Sequence, residues 1–215
     1  MDLNSANTAI VITDPQNDVL QTDGLTWELV GPAIQANKVV ENLERLMTGG
    51  KEKGYRLFIS PHYYFPTDDL WKFGGSIENM MHEIKMFTRA GQLNLDGFAG
   101  SGADWLAQLA PAINDTATVV SSPHKIYGPA SNDMVLQLRK NNISKVILGG
   151  MLANLCVESH MRDFIEQGFE VGVVTDAVAA PNHPAWGDGN LSASINYKFI
   201  ANAVYTTDEA LAAMT

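Results

Sequence analysis

The sequence predicts an α/β protein built on a parallel sheet, and three observations carry that prediction. The first is the stretch from Lys145 to Val178. A buried apolar run (Val146 to Leu148), a turn opened by Gly149 and Gly150, a helix beginning near Leu155, a stop at Gly168 and a second apolar run (Val171 to Val174, closing at Asp176) make a βαβ unit. The second is TAIVIT, Thr8 to Thr13, a continuous β-branched run ending at Asp14-Pro15. A strand covered on both faces reads this way, whereas a half-exposed strand alternates. The third is a repeat of the helix-then-strand rhythm between residues 31 and 60.

The remaining elements follow in chain order. Gly31 to Lys53 carries Ile34, Val39, Val40, Leu43, Leu46 and Met47 at three- and four-residue spacing, which predicts one amphipathic helix weakened at its end by Gly49-Gly50. Tyr55 to Ser60 is the next strand and stops at Pro61. From His62 to Gly102 the pattern loosens into aromatic residues and glycines around one helical stretch, Ile77 to Arg89. Loops carry specificity on rigid scaffolds, so this region is the candidate wall of a substrate pocket; a surface excursion with its own small apolar cluster is the alternative. Ala103 to Ala110 reads as a short helix ended by Pro111, Thr118 to Ser121 as a short strand followed by His124-Lys125, and Ser131 to Asn141 as a helix. After Val178 come a Gly/Pro/Asn-rich loop, a helix from Leu191 to Ala203, a short strand from Val204 to Thr206 and a helix from Asp208 to Met214. With no internal repeat, residues 1–215 read as a single domain.

Composition narrows the function classes. A net charge of -10, without a Lys/Arg stripe, argues against nucleic acid as partner. MDLNSANTAIVITDPQ lacks the basic start and apolar core of a signal peptide, and no apolar run approaches the roughly 20 residues that span a bilayer, so the expectation is a cytoplasmic protein without a membrane partner. One cysteine permits no internal disulfide, which suits a reducing compartment.

Three reactive side chains fall at predicted strand ends: Asp14, Lys125 and Cys156. In an open parallel sheet those ends border the ligand crevice. A thiol in the first turn of a helix feels unpaired N–H groups, a nearby cation favours its thiolate, and a carboxylate can take its proton. Strand alternation would turn Lys125 inward and His124 away. Each residue also has a plainer reading, as a turn aspartate, a solvated lysine and a core cysteine. His160, four residues past Cys156, is expected behind the nucleophile rather than beside the substrate.

With these residues placed, AIVITDPQNDVL, GSGADWLAQLAP, SPHKIYG and GGMLANLCVESHMRDFIEQGFEVGVVTDAVAA together resemble the isochorismatase-like cysteine hydrolases, the superfamily of nicotinamidases and N-carbamoylsarcosine amidase. The resemblance covers most of the chain. It implies a Rossmann-like three-layer sandwich with a central six-stranded, mainly parallel sheet and helices on both faces. It also implies Cys156 as nucleophile, Asp14 as general base, Lys125 as the orienting cation, and a cis Met151-Leu152 peptide that lets the N–H groups of Leu152 and Cys156 form an oxyanion hole. The implied reaction is hydrolysis of a small, linear amide or ureido compound through a thioester. His62, Tyr64 and Gln16 are expected to contact the substrate, no cofactor is implied, and the chain is expected to form a homo-oligomer, a dimer or tetramer. Two departures are visible. SPHYYFPTDDLWKF carries His62 but no Asp-x-His pair, so no nicotinamidase-type metal site is expected, and GPAS at Gly128 to Ser131 replaces the Ser-Ala-Phe element of many members. The alternatives are a non-catalytic or redox-sensing member that acts by binding, and an isochorismatase-type carbon–oxygen hydrolase, which would not need Cys156.

Overall fold

The continuous apolar run Thr8–Thr13 forms β1, buried along its whole length at the middle of a six-stranded sheet. This computed structural model describes residues 1–91 and 95–215. The other strands of the sheet are β2 (Arg56–Ser60), β3 (Val119–Val120), β4 (Lys145–Met151) and β5 (Glu170–Ala179), with β8 (Ala203–Tyr205) at the far edge. Between β5 and β8, β6 (Asn182–His183) and β7 (Gly187–Asp188) form a small antiparallel hairpin within the Gly/Pro/Asn-rich loop. The order is β3-β2-β1-β4-β5-β8 and every neighbouring pair is parallel.

Helices cover both faces. Ile10 and Ile12 of β1 pack with Leu43, Leu46 and Met47 on one face, while Ala9 and Val11 pack with Leu138, Phe164 and Tyr197 on the other. The helices are α1 (Asn17–Leu20), α2 (Trp27–Asn37), α3 (Val39–Glu52), α4 (Ser76–Glu83), α5 (Ala110–Ile113), α6 (Met134–Lys140), α7 (Glu158–Glu166), α8 (Gly189–Ile200) and α9 (Thr207–Ala213).

Three predicted helices differ. The stretch read as helical over Ile77 to Arg89 ends at Glu83, because Lys85 and Phe87 beyond it adopt left-handed φ 59 and 56. The single helix over 31–53 is two, because Lys38 adopts left-handed φ 52 between α2 and α3. The apolar spacing runs through the break since Ile34 and Val39 serve the same core. Residues 103–109 are not helical, because the backbone here is used by the loop after β1: Asp18 N–H donates to Gly102 O, Asn17 N–H to Asp104 O, and Leu106 N–H to Pro15 O. Pro111, read as a stop, instead lies in the first turn of α5, where a missing N–H costs little.

The chain runs outward from β1 through β2 to β3, then returns to β4 and runs outward the other way. The reversal between β1 and β4 opens a crevice at their carboxyl ends. Gly150 fits the strands together there. Its φ is +113 and an added Cβ would lie 2.1 Å from Thr13 O, while Thr13 Oγ1 donates to Met151 O at 3.0 Å. The next peptide bond, Met151-Leu152, is cis. Among the described residues no helix is long and apolar enough to cross a membrane.

Candidate active site

Each side chain of the site is delivered by a strand end. Asp14 leaves β1 with φ 47, a left-handed conformation that aspartate tolerates better than most residues, and its N–H donates to Ser60 O. Past β4 the chain winds into a π-helical turn, Ala153–Val157, with Val157 N–H reaching Leu152 O. Such turns recur at functional sites. Tyr197 on α8 donates its hydroxyl to Ala153 O and pins the turn. Cys156 is held at its inner side, 6 % exposed.

Four side chains converge: Asp14, His62, His124 and Cys156 each offer a ligand atom, all within 4.8 Å of one another and all buried. His124 Nε2 donates to Asp14 Oδ1 at 2.7 Å. Lys125 does not join them. Its ammonium pairs with Asp68 Oδ2 and lies 3.6 Å from the centre of the Phe65 ring. The expected orientations of the two residues are therefore reversed, and the cause is a slip of one residue between β2 and β3. Ile59 aligns with Val120, but His62 aligns with His124, not Pro123. The slip turns His124 toward Asp14 and sends Lys125 to the opposite side.

The Cys156 thiol is pushed well above its ordinary pKa, first by burial and then by the charge of the neighbouring Asp14 carboxylate. The backbone N–H groups of Leu152 and of Cys156 itself oppose that rise. The Cys156 thiol is thus held against ionising, in contrast to the thiolate that a nearby lysine would favour. A carboxylate, two imidazoles and a thiolate are also the donor types of a tetrahedral zinc site. They come from four separate segments, so ligand spacing in the sequence could not reveal them.

The residues expected to contact substrate divide. His62 is fully buried and lines the cavity at the site. Burial first, then the neighbouring His124, push its pKa well down, and its Nε2–H donates to Lys125 O at 3.1 Å. Its Nδ1 has no partner among the described residues. Gln16 is unavailable, since its amide donates to His62 O and Ala103 O and its carbonyl accepts from His62 N–H. It fastens the loops together. Tyr64 is 1 % exposed, packs edge-on against His62 and does not line the cavity. His160 binds the Cys156 carbonyl at 2.7 Å and Ser60 Oγ at 2.8 Å, behind the thiol.

The cavity holds about 330 Å³. Asp14, His62, Leu152 and Cys156 lie on its wall, and Trp186 of the β6–β7 turn lines it as well. Sequence reading placed the wall in residues 62–102, and Ile77 and Met80 of that stretch do line it; it missed the contribution of Thr26, Leu29 and Val30 from the start of α2. It also missed His124. The available signal was that His62 and His124 each stand directly after a proline that closes a strand.

Residues 8–196 match the Isochorismatase domain family. The uncharacterized isochorismatase family protein YddQ of Bacillus subtilis (strain 168) is 22% identical over 202 residues, covering 93% of this chain and 94% of that protein. Among solved structures, a cysteine hydrolase from Pseudomonas syringae pv. phaseolicola 1448A superposes with a TM-score of 0.79 at 19% identity, over 100% of this chain and 95% of its own. N-carbamoylsarcosine amidase from Thermoplasma acidophilum superposes with a TM-score of 0.67 at 17% identity, over 94% and 98%.

Proposed function

We propose a function from one premise: the chain belongs to the isochorismatase family and has its hydrolase fold. On that premise the protein is a cysteine-dependent amidohydrolase of a small amide or ureido compound. The observation that carries this reading is the Asp14 carboxylate beside the buried Cys156 thiol on the wall of the cavity, with the N–H groups of Leu152 and Cys156 directed at the sulfur.

The steps balance without a cofactor. Cys156 Sγ attacks the carbonyl carbon as its proton passes to Asp14, and the N–H groups of Leu152 and Cys156 receive the developing oxyanion. One such donor contributes about 3 to 4 kcal/mol in comparable sites. Asp14 then gives the proton to the departing nitrogen, the C–N bond breaks and a thioester remains. Water, giving its proton to Asp14, attacks that thioester; the C–S bond breaks, the acid leaves and the thiol is restored. His124 takes the supporting role that the family resemblance assigned to Lys125, because it is the residue that donates to Asp14.

The test is ammonia release from a panel of amides and ureido compounds, comparing wild type with Cys156→Ser after both are shown to be folded. Release by the wild type alone is expected. Equal release by Cys156→Ser would favour the carbon–oxygen or thiol-independent reading instead.

A further inference from the structure

We propose that two copies of this chain pair through the exposed side of α8, around a two-fold axis at Ile195, and that Phe199 of each copy then borders the mouth of the other's cavity. Leu191, Ile195 and Phe199 stand four residues apart on α8, hence in one row along the helix, and all three are exposed. The other side of the helix, Ala193 and Tyr197, is buried in the core. Trp186 precedes the row and Val204 of the edge strand β8 follows it, both exposed as well. Single exposed apolar side chains are ordinary; a row of them marks a surface that something covers.

Charge and area select a second copy as the cover. From Gly189 to Thr207 the one charged residue is Lys198, in a chain with 24 acidic residues and a net charge of -10. Glu158, which reaches α8 at Asn196, is already paired with Arg162. Two such chains repel over most of their surfaces and least over this one. Phe199 is 86% exposed and Trp186 66%, which leaves about 300 Å² of aromatic surface in water, more than a third of the roughly 800 Å² that each partner of a standard interface covers. A two-fold interface must complement itself. Antiparallel α8 helices crossing at Ile195 seat Leu191 of one copy against Phe199 of the other, and Lys198 against Ser192. Asp188 of the other copy then lies about 6 Å further along the axis, within reach of a lysine stem. Neither Lys198 nor Asp188 has an ion-pair partner among the described residues of its own chain, so the pairing supplies one to each.

The row begins where the cavity opens. Of the residues lining the cavity, the exposed ones are Trp186, Gly187, Asp188 and Ser192, all in or just before the first turn of α8. The second copy's Phe199, seated on Leu191, lies beside them. The entrance is therefore narrower in the pair than in one chain alone.

Sedimentation, cross-linking and thiol labelling test the pairing, the axis and the mouth in turn. At about 100 μM protein, well above the micromolar end of affinities for a standard interface, the wild type is expected to sediment as a particle of at least twice the 23.4 kDa of one chain. Phe199→Glu, at an exposed position where the melting temperature should not change, is expected to weaken pairing at least about 100-fold. A monomeric wild type, or an assembly that Phe199→Glu leaves intact, overturns the proposal. Ile195→Cys in a Cys156→Ser background should form a disulfide-linked pair on mild oxidation, since a residue on the axis meets its own copy. No link overturns the placement of the axis. N-phenylmaleimide should label Cys156 about 10-fold faster in Phe199→Glu than in the paired wild type, while the rate with iodoacetamide, a smaller reagent, changes less than about 2-fold. Equal maleimide rates overturn the contact with the mouth.

Discussion

Replacing His124 by leucine should disable the site, whereas replacing Lys125 by methionine should not. His124 is fully buried and donates at 2.7 Å to Asp14, which is 2 % exposed. Leucine keeps most of the volume but leaves the carboxylate without its donor and without water to replace it. A buried hydrogen bond to a charged group contributes about 1.5 to 3 kcal/mol, and leaving the charge unpaired costs about 3 to 5 kcal/mol. If about 3 kcal/mol of this is felt in the transition state, kcat/KM falls by about two orders of magnitude. Lys125 pairs with Asp68 on partly exposed side chains, 19% and 11%, and does not line the cavity. Its loss should cost about 1 kcal/mol of stability and change kcat/KM less than about 3-fold. The assay is kcat/KM for ammonia release, with thermal melts of both variants showing them folded. A Lys125→Met variant that loses as much activity as His124→Leu would refute the assignment of His124 in place of lysine.

Three other outcomes are expected. The alkylation rate of Cys156 should still be rising at pH values where free cysteine has levelled off, and Asp14→Asn should move the midpoint down by removing the adjacent charge; a plateau below that of free cysteine would show a stabilised thiolate instead. His160, pushed down to about 3 by burial first and then by His124, refuses in the folded state a proton that the unfolded chain takes up below about 6.5. Stability is therefore complete above that value and lost as pH falls toward 3, and His160→Gln should flatten this limb by up to roughly 5 kcal/mol in denaturant titrations, an unchanged limb counting against the burial argument. Zinc at low micromolar concentration should block both alkylation and ammonia release, reversibly with chelator and at least about 10-fold less well in His62→Ala, because four suitable donors lie within 4.8 Å; an alkylation rate indifferent to zinc would show that they do not close on an ion.

The frame of the fold was legible because parallel strands buried on both faces leave continuous apolar runs. β1 coincides with TAIVIT, and β4, the π-helical turn and β5 fall within the predicted βαβ stretch. Asp14 and Cys156 were legible for the same reason, since strand ends fix where the crevice lies. Alternation along β3 was a weaker guide. That strand has two residues, and a one-residue slip beyond it reverses which of His124 and Lys125 faces inward. Such a slip is a property of how two segments pair, not of either segment's composition. Gln16 was misread for a related reason. Its partners, the backbone of His62 and of Ala103, lie 46 and 87 residues away, and only the closed fold uses up its amide. The cavity wall drew on α2, whose apolar face looked like ordinary core because most of it is.

The most direct test of the account is the intact mass of the protein quenched during turnover of whichever compound of the amide and ureido panel releases ammonia, compared with Asp14→Asn and Cys156→Ala. The account predicts an acyl adduct on Cys156 in the wild type, formed at least about 100-fold more slowly in Asp14→Asn and absent in Cys156→Ala together with all ammonia release. Ammonia release that persists in Cys156→Ala would contradict it.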